Sequence, residues 1–167
     1  PWHCPTESSG DPRHADIVSA APDAAWTLAG ITPAHLPIAA AVRARTVIGV
    51  RFYERFLEDA AARGMTPFEA FRGVVAAALA DVTSDRHIMS ATPISRRPAG
   101  SEDVVGDFVL SALIPLDADA DHRCATEVAR ACIDATTQPM EDVLCALGRP
   151  AVDGHLFAVP LLIGWTP

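Results

Sequence analysis

The sequence predicts an α/β fold with two layers, in which helices pack on one face of a mixed sheet. Three apolar segments have the length and composition of buried strands, residues 87–94, 104–116 and 156–165. Pairs of segments with helical periodicity precede the first strand and separate the second from the third, and such alternation favours a largely parallel or mixed sheet. The chain has 167 residues, 50% of them hydrophobic, which is enough to bury one core without disulfides or metals.

An N-terminal arm and a single domain are predicted. Residues 1–22 are rich in Pro, Ser, Asp and Gly and show no hydrophobic period, which is typical of a linker or flexible arm. The domain is expected to span residues 23–167. Prolines interrupt any helix before Arg45, so we predict that single apolar side chains such as Trp26 anchor this stretch to the core.

Two helices are predicted next. The first runs from Val47 until Gly64 ends it, and it turns three apolar residues to one side, Phe52, Phe56 and Ala60. The second begins at Thr66-Pro67-Phe68-Glu69, a capping box with proline at the first helical position. The apolar face of this second helix is predicted to contain Phe68, Phe71, Val75, Ala78, Leu79 and Val82.

Two strands follow in the middle of the chain. A Thr83-Ser84-Asp85 turn leads to a strand over His87–Ile94. After a loop, the β-branched stretch Val104–Leu116 predicts a second strand with a bend or bulge at Gly106. We expect Phe108 on this strand to be a core residue, like Phe71 on the preceding helix.

The C-terminal third predicts two helices and a final strand. Asp119 or Asp121 caps a helix that runs to about Ala135 and buries Cys124, Val128, Ala131 and Cys132. The next helix begins at Pro139 and stops at Gly148. The last segment, Leu156–Trp165, is apolar throughout, and its proline indicates an edge strand or a bulge.

Charge and composition argue against several classes of partner. The net charge of -8 repels phosphate backbones and anionic lipids, so we expect neither nucleic acid nor membrane as a partner. No apolar run reaches the roughly twenty residues that span a bilayer, and the first residues do not resemble a secretion signal. A cytoplasmic location is therefore predicted. The four cysteines lack CxxC spacing and are expected to be reduced and mostly buried.

No metal site is assigned from the sequence. His3, Cys4, His14 and Asp16 have side chains that ligate zinc, but chance polar residues on a flexible arm explain them better. Three aspartates at positions 117, 119 and 121 lack the glycine and closing glutamate of a calcium loop, so helix capping is the better explanation.

A series of short fragments gives a more specific indication. In chain order they are Thr66-Pro67-Phe68, Ala91-Thr92-Pro93, Arg96 or Arg97, Val105-Gly106-Asp107-Phe108-Val109, Pro139-Met140-Glu141 and Leu156-Phe157. In this order and spacing the chain resembles the second half of a condensation domain from a nonribosomal peptide synthetase. The resemblance covers about residues 47–165 and extends more weakly back to Trp26.

The resemblance implies a chloramphenicol acetyltransferase-like fold and a part in amide-forming acyl transfer during natural-product biosynthesis. The implied substrates are aminoacyl or peptidyl thioesters on carrier proteins, whose phosphopantetheine arms enter a tunnel between two halves. The implied partners are therefore an N-terminal condensation half and the carrier proteins, and the chain needs no cofactor of its own. The family's histidine motif, HHxxxDG, belongs to the first half and does not occur in this sequence.

Because that motif is absent, no catalytic residue is assigned and the chain is predicted to be inactive alone. It also has Leu110 where the family usually has Asn, and Thr136-Thr137 where the family has Gln-Asp. Seven residues are candidates for the substrate channel or the carrier-docking surface: Arg96, Arg97, Gly106, Phe108, Ser111, His87 and His155.

Five of these candidates have a plainer alternative. An arginine fork at position 96 or 97 suits the phosphate of a carrier arm, whereas a solvated loop needs no ligand. Ser111 lies within a predicted strand, where a structural hydroxyl is expected more often than a nucleophile. His87 and His155 each begin a predicted strand and lie either at a channel or at a rim without a role.

Two alternatives to the main functional hypothesis stay open. In the first alternative, the chain is a degenerate condensation-like domain, a non-catalytic interaction module that recruits a partner protein. A homotrimeric acyltransferase of the chloramphenicol acetyltransferase type builds its active site between subunits. That second alternative needs a catalytic histidine with an aspartate after three intervening residues, which the sequence does not offer.

Overall fold

A computed structural model of the protein describes residues 18–27, 44–148 and 161–164. In chain order the elements are a 3-10 helix (Asp23–Trp26), α1 (Val50–Ala62), α2 (Pro67–Thr83), β1 (His87–Ser95), β2 (Val109–Asp117), α3 (His122–Ala135), α4 (Met140–Ala146) and β3 (Leu161–Leu162). The predicted α/β class is confirmed. None of the helices in these ranges is long and apolar enough to cross a membrane.

The strands form a three-stranded mixed sheet in the order β2-β1-β3. β1 and β2 are antiparallel, with His87 opposite Asp117 at one end and Ser95 opposite Val109 at the other. β3 is parallel to β1, with Leu161 opposite Ser90. The mixed sheet predicted from the sequence is therefore present in the described part of the chain.

One face of the sheet packs against α2 and α3. Successive side chains of a strand point to opposite faces, so alternate residues of β1 and β2 form this surface. Ala112 and Ile114 pack on α3 through Cys124, Val128, Ala129 and Cys132. Ile88 and Leu116 pack on α2, whose contributing residues are Phe68, Phe71, Val75, Ala76 and Leu79. The prediction that both helices lie on one face is confirmed.

The opposite face is also covered, so the prediction of helices on one face only is wrong. Met89, Ala91 and Leu113 form a buried cluster with Val18, Trp26, Met140 and Leu144. The residues that cover the strands come from three places: Val18 from the segment before the 3-10 helix, Trp26 from the 3-10 helix, and Met140 and Leu144 from α4. The physical reason is that the paired strands are apolar on both faces, and an apolar sheet face must be covered. Val18 belongs to the segment predicted as an arm, and it is 1% exposed.

The predicted helix boundaries hold where the sequence carries a cap. Thr66 accepts from the Glu69 N–H at 3.3 Å, and Glu69 accepts from the Thr66 N–H at 2.7 Å, which completes the predicted capping box. Asp121 caps α3 by accepting from the N–H groups of Arg123 and Cys124. Gly64 adopts a φ of 67° just after α1, a conformation that a residue without Cβ adopts without strain.

The strand boundaries differ more from the prediction. β2 begins at Val109 and not at Val104, because β1 ends at Ser95 and leaves no partner strand for the preceding residues. Gly106 lies in a bend of the loop outside the strand. β3 is observed at Leu161–Leu162, and the earlier part of the predicted strand falls within residues 149–160, outside the described ranges.

Several residues predicted to be in the core are more exposed than expected. Phe71 and Phe108 are only half-buried. Val82 is 84% exposed, and Phe52 on α1 is 67% exposed. Cys145 is also exposed, whereas Cys124 and Cys132 are buried free thiols as predicted. Helical periodicity correctly identifies a face, but it does not tell how far a neighbouring element extends along that face.

Candidate functional site

The loop between β1 and β2 holds the two candidate arginines, and residues 96–108 are called the arginine loop below. The Arg96 backbone N–H donates to the Phe108 carbonyl at 2.7 Å, which continues the pairing one step beyond the last strand residues. The Arg96 guanidinium donates to the Ile133 carbonyl near the end of α3. Arg96 therefore anchors the base of the loop to the helical layer.

Arg97 organises the outer part of the loop. Its Nη1 donates to the carbonyls of Ser101 at 2.6 Å and Val104 at 2.9 Å. The guanidinium carbon lies 4.3 Å from the centroid of the Phe108 ring, within the range of a cation–π contact. Gly106 lies beside the same ring, because a Cβ added there would be 3.5 Å from two ring carbons. Three of the predicted candidates, Arg97, Gly106 and Phe108, thus form one contiguous group.

The charges of this loop are not paired. Within the described part of the chain, neither Arg96 nor Arg97 lies within ion-pair distance of a carboxylate. The loop also carries three acidic residues, Glu102, Asp103 and Asp107, so its formal net charge is slightly negative. Its valines are exposed, with Val104 at 54% and Val105 at 101%, and Val109 at the start of β2 is 54% exposed. The arrangement offers arginine donors next to an uncovered apolar surface.

The other candidates lie apart from this group. Ser111 is half-buried on β2 opposite Pro93, which fits the structural-hydroxyl alternative. His87 is at the far end of β1, eight residues from Ser95, and a strand of that span is about 26 Å long. His155 lies outside the described residues. The sequence-predicted set is therefore divided between two ends of the sheet.

His87 belongs to a polar cluster of its own. The Nδ1 atom of His87 is 3.4 Å from Asp117 Oδ1. His87, Asp117 and Asp119 each offer one potential metal-ligand atom, and these three atoms lie within 4.8 Å of one another. Arg86 donates to both carboxylate oxygens of Asp119, and these hydrogen bonds lower the pKa of Asp119. Asp117 Oδ1 also accepts from the Asp119 N–H at 2.8 Å. Because a guanidinium already neutralises Asp119, we assign this cluster as an ion-paired turn without a metal.

A cleft on the helical side of the sheet was not predicted. It has a volume of about 420 Å³ and lies between α1, α2, the end of β2 and the start of α3. Most of its lining is apolar, and the charged or polar lining residues include Asp59, Arg63, Glu69, Arg72, Asp117, His122 and Thr126. Its volume falls in the range of small-molecule sites, about 300–1,000 Å³.

Arg72 is the most deeply buried charged residue lining this cleft. The residue is 4% exposed, its Nη2 donates to the Pro115 carbonyl at 3.2 Å, and its Nη1 has no hydrogen-bond partner among the described residues. The Phe68 ring lies 5.9 Å from its guanidinium carbon. Burial lowers the pKa of Arg72 to about 10, so the guanidinium stays positively charged at neutral pH.

The sequence indicates that Arg72 is unusual, although this residue was not among those predicted for the apolar face of α2. Arg72 lies four residues after Phe68 and four before Ala76, so it occupies the same stripe of α2 as these apolar residues. An arginine within an apolar stripe is worth noting, because charged side chains are rarely fully buried without a partner. Glu69 on α2 and Arg130 on α3, by contrast, are 61 residues apart in the sequence, so no local sequence pattern predicts the contact between them.

Comparison with known proteins assigns no family. No protein-family model matches the chain, and no curated protein sequence matches it. The class that fold and site define is an α/β domain with a small mixed sheet, an arginine loop at one end and an apolar cleft at the other. A functional assignment therefore depends on the geometry described above and on the sequence resemblance.

Proposed function

We propose that this chain is the second half of a condensation domain, with a chloramphenicol acetyltransferase-like fold, and acts in the cytoplasm on carrier-bound aminoacyl or peptidyl thioesters. In this role it forms one wall of the channel where an amine attacks a thioester and an amide is made. The arginine loop and the exposed apolar surface beside it face the other half and the arm of the carrier protein.

The arginine loop is the observation that carries this proposal. Two of the resembling fragments lie on the paired strands that flank this loop, with Pro93 on β1 opposite Ser111 and Val109 on β2 opposite Ser95. The loop between them holds Arg97 over Phe108 and leaves both arginines without an ionic partner in the described part of the chain. A guanidinium fork suits the oxygens of a phosphate diester such as that of a phosphopantetheine arm.

Catalysis in this scheme depends on a partner. Amide formation requires the amine and the thioester to be held at attack distance, and such positioning contributes a large part of the rate enhancement. A general base must also lie within hydrogen-bond reach of the attacking nitrogen. His87, the described histidine among the candidates, instead lies beside Asp117 at the far end of β1, with 3.4 Å between Nδ1 and Oδ1. The histidine of HHxxxDG would come from the N-terminal half.

A second function, a non-catalytic interaction module, is favoured by the exposed apolar residues at the start of α1 and just before it. Val47, Val50 and Phe52 are 82%, 72% and 67% exposed, and they lie within six residues of one another. Contiguous exposed apolar residues often mark a protein–protein contact. Both functions use exposed apolar surface, so an assay of chemistry and an assay of binding must be made together.

The test combines this chain with a separately expressed first half that carries HHxxxDG and with carrier proteins loaded with donor and acceptor aminoacyl groups. Amide product is measured by mass spectrometry. We expect no product from this chain alone and product from the reconstituted pair. Replacing Arg97→Gln should lower the rate about tenfold, a typical effect of removing one charge-assisted hydrogen bond. Arg51→Gln on exposed α1 is the matched control and should leave the rate unchanged.

Two results would count against the proposal. Turnover by this chain alone would place a catalytic group where none is assigned. Stable binding of a first half without any product, unaffected by Arg97→Gln but weakened by Phe52→Ala, would favour the interaction module. The Phe52 side chain is exposed, so its replacement should not affect the fold.

A further inference from the structure

The cleft beside α2 is lined by a buried guanidinium, that of Arg72, which feels the charge of Glu69 but forms no ion pair within the described part of the protein. Arg72 donates to one backbone carbonyl and keeps Nη1 without a hydrogen-bond partner. An unpaired charge in a low-dielectric environment is destabilising, and buried charges are normally paired. A buried guanidinium without an ion pair that adjoins a cleft is the arrangement expected for an anion-binding site.

The carboxylates that line the same cleft have other partners. Glu69 accepts from Arg130 at 2.6 Å and 3.1 Å and from the Thr66 N–H. Asp59 is paired with Arg63 at 3.3 Å. Asp117 accepts from the Asp119 N–H and faces His87. None of these three forms a hydrogen bond or ion pair with Arg72, so the anion is expected to come from a ligand.

The remaining walls indicate the chemical class of that ligand. The cleft is lined mainly by apolar and small side chains, Phe56, Ala60, Met65, Ala70, Val74 and Ala77 among them. One donor can serve one carboxylate oxygen, whereas a phosphate dianion needs more donors and, because it carries twice the charge of a monocarboxylate, is repelled more strongly by the three neighbouring carboxylates. We propose that this cleft binds a small monocarboxylate with an apolar body, whose carboxylate accepts a hydrogen bond from Arg72. The proposal is independent of the condensation function.

The experiment measures binding of octanoate to the full chain by isothermal titration calorimetry and by NMR chemical-shift perturbation. Inorganic phosphate is the polar comparison and octanol is the uncharged one. We expect saturable binding of octanoate, with shifts on α2 and α3, and much weaker binding of phosphate and octanol. Arg72→Met keeps an unbranched, though shorter, side chain and removes the charge. It should weaken octanoate binding about 10- to 100-fold, the effect of losing one hydrogen bond to a charged group.

A second variant keeps the test decisive if Arg72→Met disturbs packing. Gly73 lies in α2 and lines the cleft, and a Cβ added there meets no atom within 4 Å. Gly73→Leu should therefore preserve the helix while it obstructs the cleft, and octanoate binding should be lost with Arg72 still present. Arg97→Gln, far from the cleft, is the control and should bind normally. Absence of saturable octanoate binding to the wild type, or unchanged affinity in both cleft variants, would overturn the proposal.

Discussion

Replacement of Glu69 tests how the helical layer is held together. Glu69 accepts from the Thr66 N–H at the start of α2 and from Arg130 on α3, so one carboxylate joins a helix cap to a neighbouring helix. Arg130 also donates to the Gly64 carbonyl at 3.4 Å, which extends the link to the end of α1. Glu69→Ala removes the cap contact and the link between helices together.

The expected magnitude follows from the cap. Loss of a capping contact destabilises a protein by about 1 kcal/mol, and the contact with Arg130 adds less because the Arg130 side chain is 53% exposed to solvent. For a chain of this length, about 1 kcal/mol corresponds to a Tm decrease of about 2–4 °C. Urea unfolding at pH 7 should show this loss, and Asp59→Ala, which breaks an exposed pair on α1, should show less than half of it.

The pH dependence gives an independent check. Burial raises the pKa of Glu69, but hydrogen bonds from Arg130 and Thr66 outweigh it and hold the pKa below its ordinary value of 4.5. The unfolded chain therefore binds the proton more tightly, so the Glu69 contribution is complete above pH 4.5 and is lost as pH falls through the folded-state pKa. The stability difference between wild type and Glu69→Ala should shrink over that acidic range. A difference that is independent of pH, or additive losses in Glu69→Ala and Arg130→Ala combined, would refute this role.

Two further predictions concern the core. Leu113→Ala should destabilise the protein by about 3 kcal/mol in urea unfolding, because Leu113 is fully buried on the second sheet face. Val82→Ala, at an exposed site, is the control and should change stability by less than about 0.5 kcal/mol. Equal effects of the two substitutions would show that this sheet face is not covered. Iodoacetamide at pH 8 should modify Cys145 in the native protein and Cys132 only after denaturation, because burial raises the pKa of Cys132 to about 12 and excludes the reagent. Peptide mass mapping detects either outcome, and native labelling of Cys132 would contradict its burial.

Local signals in the sequence predicted the elements that depend on local chemistry. The capping box at Thr66 and the cap at Asp121 fixed the starts of α2 and α3, since both motifs satisfy N–H groups within three residues. The turn after α2 was also predicted, and Ser84 adopts the left-handed conformation there. These positions need no knowledge of the rest of the fold.

Features that depend on distant partners were missed. The start of β2 is set by where β1 ends, which a pattern read along one segment does not contain. Coverage of the second sheet face depends on Trp26 and α4 meeting at Leu113, residues that are far apart in the sequence. The arginine loop was identified because its residues are adjacent along the chain. The cleft was not, since four separate elements contribute to it.

The two proposed sites lie at opposite ends of β2, and this separation makes their tests independent. The arginine loop adjoins Val109, whereas the cleft is lined by Pro115, six residues further along the strand. A strand advances about 3.4 Å per residue, so about 20 Å separates them. A carboxylate bound at Arg72 therefore cannot contact a thioester held at the arginine loop, and effects at sites this far apart are expected to be additive. Arg72→Met should weaken octanoate binding about 10- to 100-fold and leave reconstituted amide formation unchanged, while Arg97→Gln should lower the rate of amide formation about tenfold and leave octanoate binding unchanged. Loss of both activities in either variant would require β2 to shift as a rigid unit between two positions, and the fully paired register of β1 and β2 argues against such a shift.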